Sequence, residues 1–268
     1  MPRVSVVVAA YNAEKYIGET LESIRSQTFG DFDVHVVDDC STDGSAAVIH
    51  AYCATDDRFF YHRSPSNFGG PAGPRNIGVE KSSGEYIAFC DADDIWVSHK
   101  LEIQLAVAEE TGADVISAVI RDFRDGERRE PVDRPEGALP HSEISHAQLL
   151  LKNWIALSSV VARRSALEAA GPFNPARTHV AVEDFDMWLR LTQRGARAVR
   201  VGVPLVHYRK LATSISANKM KNMRKALNMI GEDYARREKG GLFKMLRPIH
   251  WLLYASTSAW TRAVRREL

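Results

Sequence analysis

Four short apolar runs early in the chain, residues 4–10, 32–37, 59–63 and 86–90, alternate with stretches whose apolar residues recur at helical spacing. The first, Val-Ser-Val-Val-Val-Ala-Ala, has no polar face, which suits a strand covered on both sides. Between the runs, Tyr16, Ile17, Leu21 and Ile24 mark a helix over 14–27, a second spans 46–54, and a short third opens at Arg75 and ends at Lys81. Strands joined by crossover helices run parallel in one sheet, so few topologies remain. The expected class is α/β, a mostly parallel central sheet flanked by helices. Downstream, helices are predicted at 98–111, 147–153, 165–170 and 183–194, and strands at 115–121 and 198–208. Residues 122–146, charged and proline-containing, read as a surface excursion.

A parallel sheet gathers the carboxyl ends of its strands on one rim, where open α/β sheets bind ligands. Acids crowd those ends here. The run at 32–37 leads into Asp38-Asp39-Cys40-Ser41-Thr42-Asp43-Gly44, and the run at 86–90 into Asp91-Ala92-Asp93-Asp94-Ile95-Trp96. Asp91, Asp93 and Asp94 repel one another and lose hydration on burial, so something must compensate them. Hard oxygen donors at a strand end suit Mg2+ or Mn2+, with phosphate oxygens completing the shell. Each piece also has a plainer reading. Asp-x-Asp occurs as a solvated helix-capping turn, and Asp-Asp-x-Ser-Thr-Asp-Gly is ordinary turn chemistry. The loop Gly69-Gly70-Pro71-Ala72-Gly73-Pro74 before Arg75 lets backbone approach a diphosphate, yet alone it is equally a flexible connection. Glu183-Asp184 at a helix start favours the helix dipole whatever else it does.

In order, Val-Ser-Val-Val-Val-Ala-Ala-Tyr-Asn, Val-Val-Asp-Asp-Cys-Ser-Thr-Asp-Gly-Ser, Gly-Gly-Pro-Ala-Gly-Pro-Arg-Asn, Asp-Ala-Asp-Asp-Ile-Trp and Glu-Asp-Phe-Asp-Met-Trp-Leu-Arg-Leu are far more specific together than singly. The series resembles the family-2 inverting glycosyltransferases of the GT-A fold over residues 3–216. That resemblance implies metal-dependent transfer of a hexosyl group from a nucleoside diphosphate sugar, with a UDP-sugar the expected donor. The acceptor would be a hydroxyl of a glycan or lipid-linked glycan, as in bacterial surface polysaccharide synthesis. It further implies that Tyr11 lies on or near the nucleobase, Asp39 meets the uracil edge and Arg75 faces the nucleotide. Asp91 leans toward the ribose and the metal, Asp93 coordinates Mn2+ or Mg2+, and Asp184 is the catalytic base. Asp38, Glu183, Asp94 and Trp96 are expected to support them.

One position departs from the family pattern. Members often carry Tyr-Arg-x-His before Ser-x-Ser; here Tyr208-Arg209-Lys210-Leu211 precedes Ser214 and Ser216, so Leu211 stands at the His position. Lys210 or Arg209 is the candidate to meet phosphate instead. A sugar-nucleotide nucleotidyltransferase is disfavoured, because Ala9-Ala10-Tyr11-Asn12 stands where its glycine-rich phosphate loop would follow the first strand. A catalytically silent nucleotide-binding partner is disfavoured by the presence of both Asp93 and Asp184.

Charge separates the chain into two parts. Residues 218–268 hold 12 Lys+Arg against 4 Asp+Glu, while the preceding 217 residues hold 23 against 30. The expected organisation is a catalytic domain over 1–217, with a nucleotide-binding half at 1–97 and an acceptor-binding half at 98–217, then a basic amphipathic helical tail at 218–268. A basic tail with Leu, Trp and Tyr fits a helix lying on an anionic membrane, and no module for nucleic acid accompanies it. Cys40, Cys53 and Cys90 form no C-x-x-C pattern, the start enters a strand directly, and no apolar run reaches membrane-spanning length. The expected location is cytoplasmic, peripheral on the inner face of the cell membrane.

Overall fold

The computed structural model describes residues 1–211 and 219–252; Ser214, Ser216 and residues 253–268 of the expected tail lie outside them. Strands β1 (Val4–Ala10), β2 (Phe32–Asp38), β3 (Phe59–Arg63) and β4 (Tyr86–Asp91) form a parallel half-sheet in the spatial order β3-β2-β1-β4. Helices α1 (Glu14–Arg25), α2 (Ser45–Cys53) and α3 (Ala72–Lys81) connect them. The register sets the rim: Ala10 lies opposite Asp38 and Ala9 opposite Asp91, so Tyr11 and both acidic turns leave the sheet at one edge.

Past β4 the sheet becomes mixed. Strand β8 (Val161–Arg163) runs antiparallel to both β4 and β6 (Val115–Phe123), and β6 runs parallel to β9 (Ala198–Arg209). Two short strands, β5 (Ile95–Trp96) and β7 (His141–Glu143), run antiparallel to β9. Among the described residues no antiparallel ladder exceeds three residue pairs, so the sheet is parallel along its long ladders. Neither β5 nor β7 was expected: both are too short for periodicity to register, and pairing with β9 creates them. The excursion at 122–146 therefore contributes the end of β6 and all of β7.

Alternate residues of β1 feed opposite layers. Val4, Val6 and Val8 pack with Ile17, Leu21 and Ile24 of α1 and with Leu101 of α4 (Lys100–Thr111). Val7 packs in the second layer with Phe89 and with Trp188 of α7 (Glu183–Gln193). Each such side chain contributes about 1.5–3 kcal/mol on burial. Helices α5 (His146–Leu151) and α6 (Arg164–Ala170) complete that layer. Gly78 of α3 rests on β1 so closely that a Cβ there would collide with Val7.

Helix α3 starts at Ala72, a turn before the expected Arg75. Pro74 falls within its first turn, where a missing N–H breaks no hydrogen bond, so the proline does not delay the helix. Helix α8 (Lys219–Arg236) buries Ala226, Leu227, Met229 and Ile230 in the layer with α7, while Met220 at its start is 56% exposed. Residues 240–252 form a further helix, α9. It folds back on α8 through an aromatic cluster of Tyr234, Phe243 and His250, with ring centroids 5.5–5.9 Å apart.

Candidate active site

Two left-handed residues shape the rim: Asn12 (φ 47°) just past β1 and Cys40 (φ 63°) just past β2. Asparagine tolerates this conformation better than most residues, and here its side chain also works. Asn12 Oδ1 accepts the Thr42 N–H at 2.8 Å, while the Asn12 N–H donates to Ser41 Oγ at 2.9 Å. The two turns are thereby tied together, leaving Tyr11 54% exposed on the rim. Asp38 is sealed beneath, accepting from the Ser41 N–H (2.8 Å) and the Tyr61 hydroxyl (2.9 Å). Asp39 is buried too; its carboxylate accepts the Phe68 N–H at 3.1 Å and fixes the entrance to the glycine loop.

The three acids after β4 take different parts. Asp94 is fully buried, 2.5 Å from Ser158 Oγ and accepting the Arg209 N–H at 2.9 Å. Burial and the charges of Asp93 and Asp91 push its pKa well up. Ser158 Oγ also accepts the Asp91 N–H at 3.0 Å, and the buried Trp96 donates its indole N–H to the Ser158 carbonyl at 2.9 Å. Arg209 donates to the Asp93 carbonyl (2.8 Å), Asp125 (2.7 Å) and Glu19 (3.2 Å). Its guanidinium is thus spent on holding the acidic turn, which corrects the expectation that it could meet phosphate. Lys210 points to Asp122 at 3.5 Å and stays partly exposed.

Of these three, Asp91 and Asp93 are left half-buried at the rim. Burial, then the Asp91 charge, raises the Asp93 carboxyl to about 6.

Arg75 lies within α3, 4% exposed, and its guanidinium spans two carboxylates: Asp91 at 2.7 Å and Glu183 at 2.5 Å. The resemblance implied that this Arg faces the nucleotide; its partners here are the acid at the end of β4 and the acid opening α7. Beside Glu183, Asp184 accepts the Phe185 N–H at 2.7 Å on Oδ1 and the Asn153 amide at 3.3 Å on Oδ2. Burial raises the Asp184 carboxyl to about 7, helped by the Glu183 charge and opposed by Arg75. A carboxylate with that affinity for protons is matched to base chemistry near neutral pH.

The donor set also fits a hard divalent cation. Among the described residues no cationic side chain comes within ion-pair distance of Asp93, and the more distant Arg209 only partly opposes the burial and Asp91 charge that raise its carboxyl. Asp91 and Asp93 would hold such an ion, with diphosphate oxygens completing its shell. His179, Asp186 and Glu232 also converge closely enough to ligate a metal. Asp186, however, is already paired with Arg190 (2.9 Å) and Arg236 (3.3 Å), so its charge is met by protein.

Ser158 and Asn153 were not anticipated as parts of this site, and Arg209 was expected at phosphate rather than under the acidic turn. Each reaches it across 31 or more residues of chain, and none carries a local sequence signal.

The sequence profile of glycosyl transferase family 2 matches residues 5–170. The chain is 31% identical over 227 residues to the putative teichuronic acid biosynthesis glycosyltransferase TuaG of Bacillus subtilis, covering 84% of this chain and 85% of that one. It is 30% identical over 233 residues to the Escherichia coli UDP-Glc:alpha-D-GlcNAc-diphosphoundecaprenol beta-1,3-glucosyltransferase WfaP, covering 86% of each. Among solved structures, Staphylococcus aureus TarS 1–349 in complex with UDP-GlcNAc superposes with a TM-score of 0.69 at 23% identity, over 86% of this chain and 66% of that one. The Pyrobaculum calidifontis mannosyltransferase PcManGT in complex with GDP-Man and Mn2+ gives 0.64 at 18% identity, over 98% of this chain and 75% of that one. These two likenesses establish the GT-A fold.

Proposed function

Because the chain belongs to glycosyl transferase family 2, and is a glycosyltransferase on that ground, we propose that it moves a sugar from a UDP-sugar to an acceptor hydroxyl with inversion. The observation that carries this reading is the double bridge of Arg75, which holds the acid end of β4 and the carboxylate pair of α7 in one site. The UDP preference draws on TarS, solved with UDP-GlcNAc, and on WfaP, named for UDP-Glc. Tyr11 stacks on the base, Asp39 meets its edge, and residues 1–97 form the nucleotide half, with 98–217 shaping the acceptor side.

Asp184 accepts the acceptor hydroxyl's proton at its carboxylate as that oxygen bonds the anomeric carbon. The electron pair of the breaking C–O bond leaves with the diphosphate. One base is enough for a single displacement. The Phe185 N–H and Asn153 hold the carboxylate in place during the transfer. Arg75 keeps Asp91 and Glu183 fixed relative to each other. Mn2+ or Mg2+ held by Asp91 and Asp93 would offset the charge gathering on the leaving diphosphate.

A lipid-linked glycan is the proposed acceptor class, as the name of WfaP states for that relative. Residues 240–268 would hold the enzyme peripherally on the inner, anionic membrane face, since α8 spends its apolar side on the catalytic domain. No helix among the described residues is long and apolar enough to cross a membrane, and α9 exposes Met245 and Leu252 beside basic residues. Calorimetric titration of UDP, with GDP and TDP as controls, tests the donor half. Binding of UDP that needs Mn2+ and is lost in Asp93→Ala is the expected result; no nucleotide binding under any condition refutes the assignment.

A further inference from the structure

Helix α9 carries an apolar stripe that none of the described residues covers: Leu242, Met245, Ile249 and Leu252 are 43%, 71%, 52% and 61% exposed. Their spacing puts them on one side of a helix. Next to the stripe, between α8 and α9, lies a groove of about 500 Å3 lined by Arg224, Asn228, Lys244, Arg247 and Trp251 together with apolar side chains. Its lining holds three cations and no carboxylate. Two arginines of the same hairpin do meet an acid: Arg236 and Arg237 pair with Asp233. Among the described residues, Arg224, Lys244 and Arg247 have no such partner.

The helix that supplies Arg224 also reaches the catalytic rim. Lys225 Nζ donates to the Val180 carbonyl at 2.5 Å, three residues before Glu183, and Val180 packs on Gly70 of the glycine loop. Three clustered cations beside an uncovered apolar stripe match a ligand with a compact multiple negative charge and a hydrocarbon chain. A phosphodiester headgroup brings one negative charge; a diphosphate brings about two and more acceptor oxygens to share among three donors.

We propose that the groove between α8 and α9 binds the diphosphate of a long-chain lipid that carries the acceptor, with Trp251 and the α9 stripe taking the first part of the chain. This rests on the transferase reading above and names the acceptor's lipid diphosphate as the part that is gripped away from the reacting sugar.

The test uses the full chain with UDP and Mn2+ at saturating concentration, so that the nucleotide site is filled. Farnesyl diphosphate is titrated by tryptophan fluorescence. Binding should saturate and weaken about tenfold or more in Arg224→Ala/Lys244→Ala, since each charged hydrogen bond lost is worth about a factor of ten. It should persist in Arg128→Ala/Arg177→Ala, which removes the same charge from exposed positions elsewhere. Equal weakening in both double variants, or in neither, overturns the proposal. So does displacement by soluble dihexanoyl-phosphatidylglycerol at matched phosphate, because the groove would then read a singly charged phosphodiester headgroup. UDP calorimetry is run on every variant. UDP bound without farnesyl diphosphate sinks the lipid site alone, whereas a wild-type chain that binds no UDP sinks the donor assignment instead.

Discussion

Asp184→Asn should abolish transfer and at the same time stabilise the fold, by an amount that depends on pH. The carboxyl is raised to about 7 in the folded chain, roughly three pH units above an unfolded aspartate. Between about pH 4 and 7 the folded protein therefore binds a proton that the unfolded chain has released, so wild-type stability falls as pH rises through this window. At 1.36 kcal/mol per unit the full penalty is about 4 kcal/mol above pH 7, and about 2 kcal/mol if the half-buried group is partly hydrated. An asparagine is neutral at every pH, and its Oδ1 still accepts the Phe185 N–H. The variant should thus match wild type near pH 4, draw ahead through pH 6, and stay ahead by about 2–4 kcal/mol at pH 8. Urea unfolding at several pH values measures this directly, provided the m-value is unchanged. A variant less stable than wild type at pH 8, or a difference that does not vary with pH, would refute the claim that burial and Glu183 strain this carboxylate.

Two further outcomes follow from the same network. The pH profile of kcat/KM should rise with unit slope to a plateau beginning near pH 7, and Glu183→Gln should move that limb down by about one pH unit, because it removes the like charge while Arg75 stays. A limb that stays in place or moves up contradicts the assigned cause. Arg75→Met leaves Asp91 and Glu183 without their shared cation and should cost about 3–5 kcal/mol in denaturant unfolding. A loss under about 1 kcal/mol would show that the bridge is not what compensates these acids.

The parallel half of the sheet was legible because β1 and β4 are near-continuous apolar runs, a pattern that few other arrangements need. Asp38 and Asp91 could be placed on one rim from the same logic, and the register of β1 with its two neighbours agrees. Partners set by distant chain were not legible. Sequence spacing gives Arg75 a helix position but not a direction, and its guanidinium turns inward to Asp91 and Glu183. Arg209 looked free for phosphate because nothing local announces Asp125 and Glu19, which meet it across the sheet edge. Strands β5 and β7 exist only through pairing with β9, and two or three residues carry no period of their own.

The acids of the rim differ in how the protein itself meets their charge, and that difference separates scaffold from site. Asp38 takes donors from Ser41 and Tyr61; Asp94 takes them from Ser158 and the Arg209 backbone; Asp91 and Glu183 share Arg75. Asp38 and Asp94 are sealed from solvent as well, so neither has an open side to offer a ligand. Asp94 also has a raised pKa and Asp184 also takes neutral donors, from the Phe185 N–H and Asn153, but of these acids Asp93 and Asp184 combine a raised pKa with an open side. Both are half-buried, both have raised pKa values, and neither has a cation within ion-pair reach among the described residues. Holding two acids in that state costs stability at neutral pH, and a fold under selection for stability alone would neutralise them. The cost is offset only when something arrives with the missing positive charge at Asp93, or with a proton to release at Asp184. A divalent ion with its diphosphate and an acceptor hydroxyl have those two properties, which is why these two residues rather than their more numerous neighbours are where substitution should separate activity from stability.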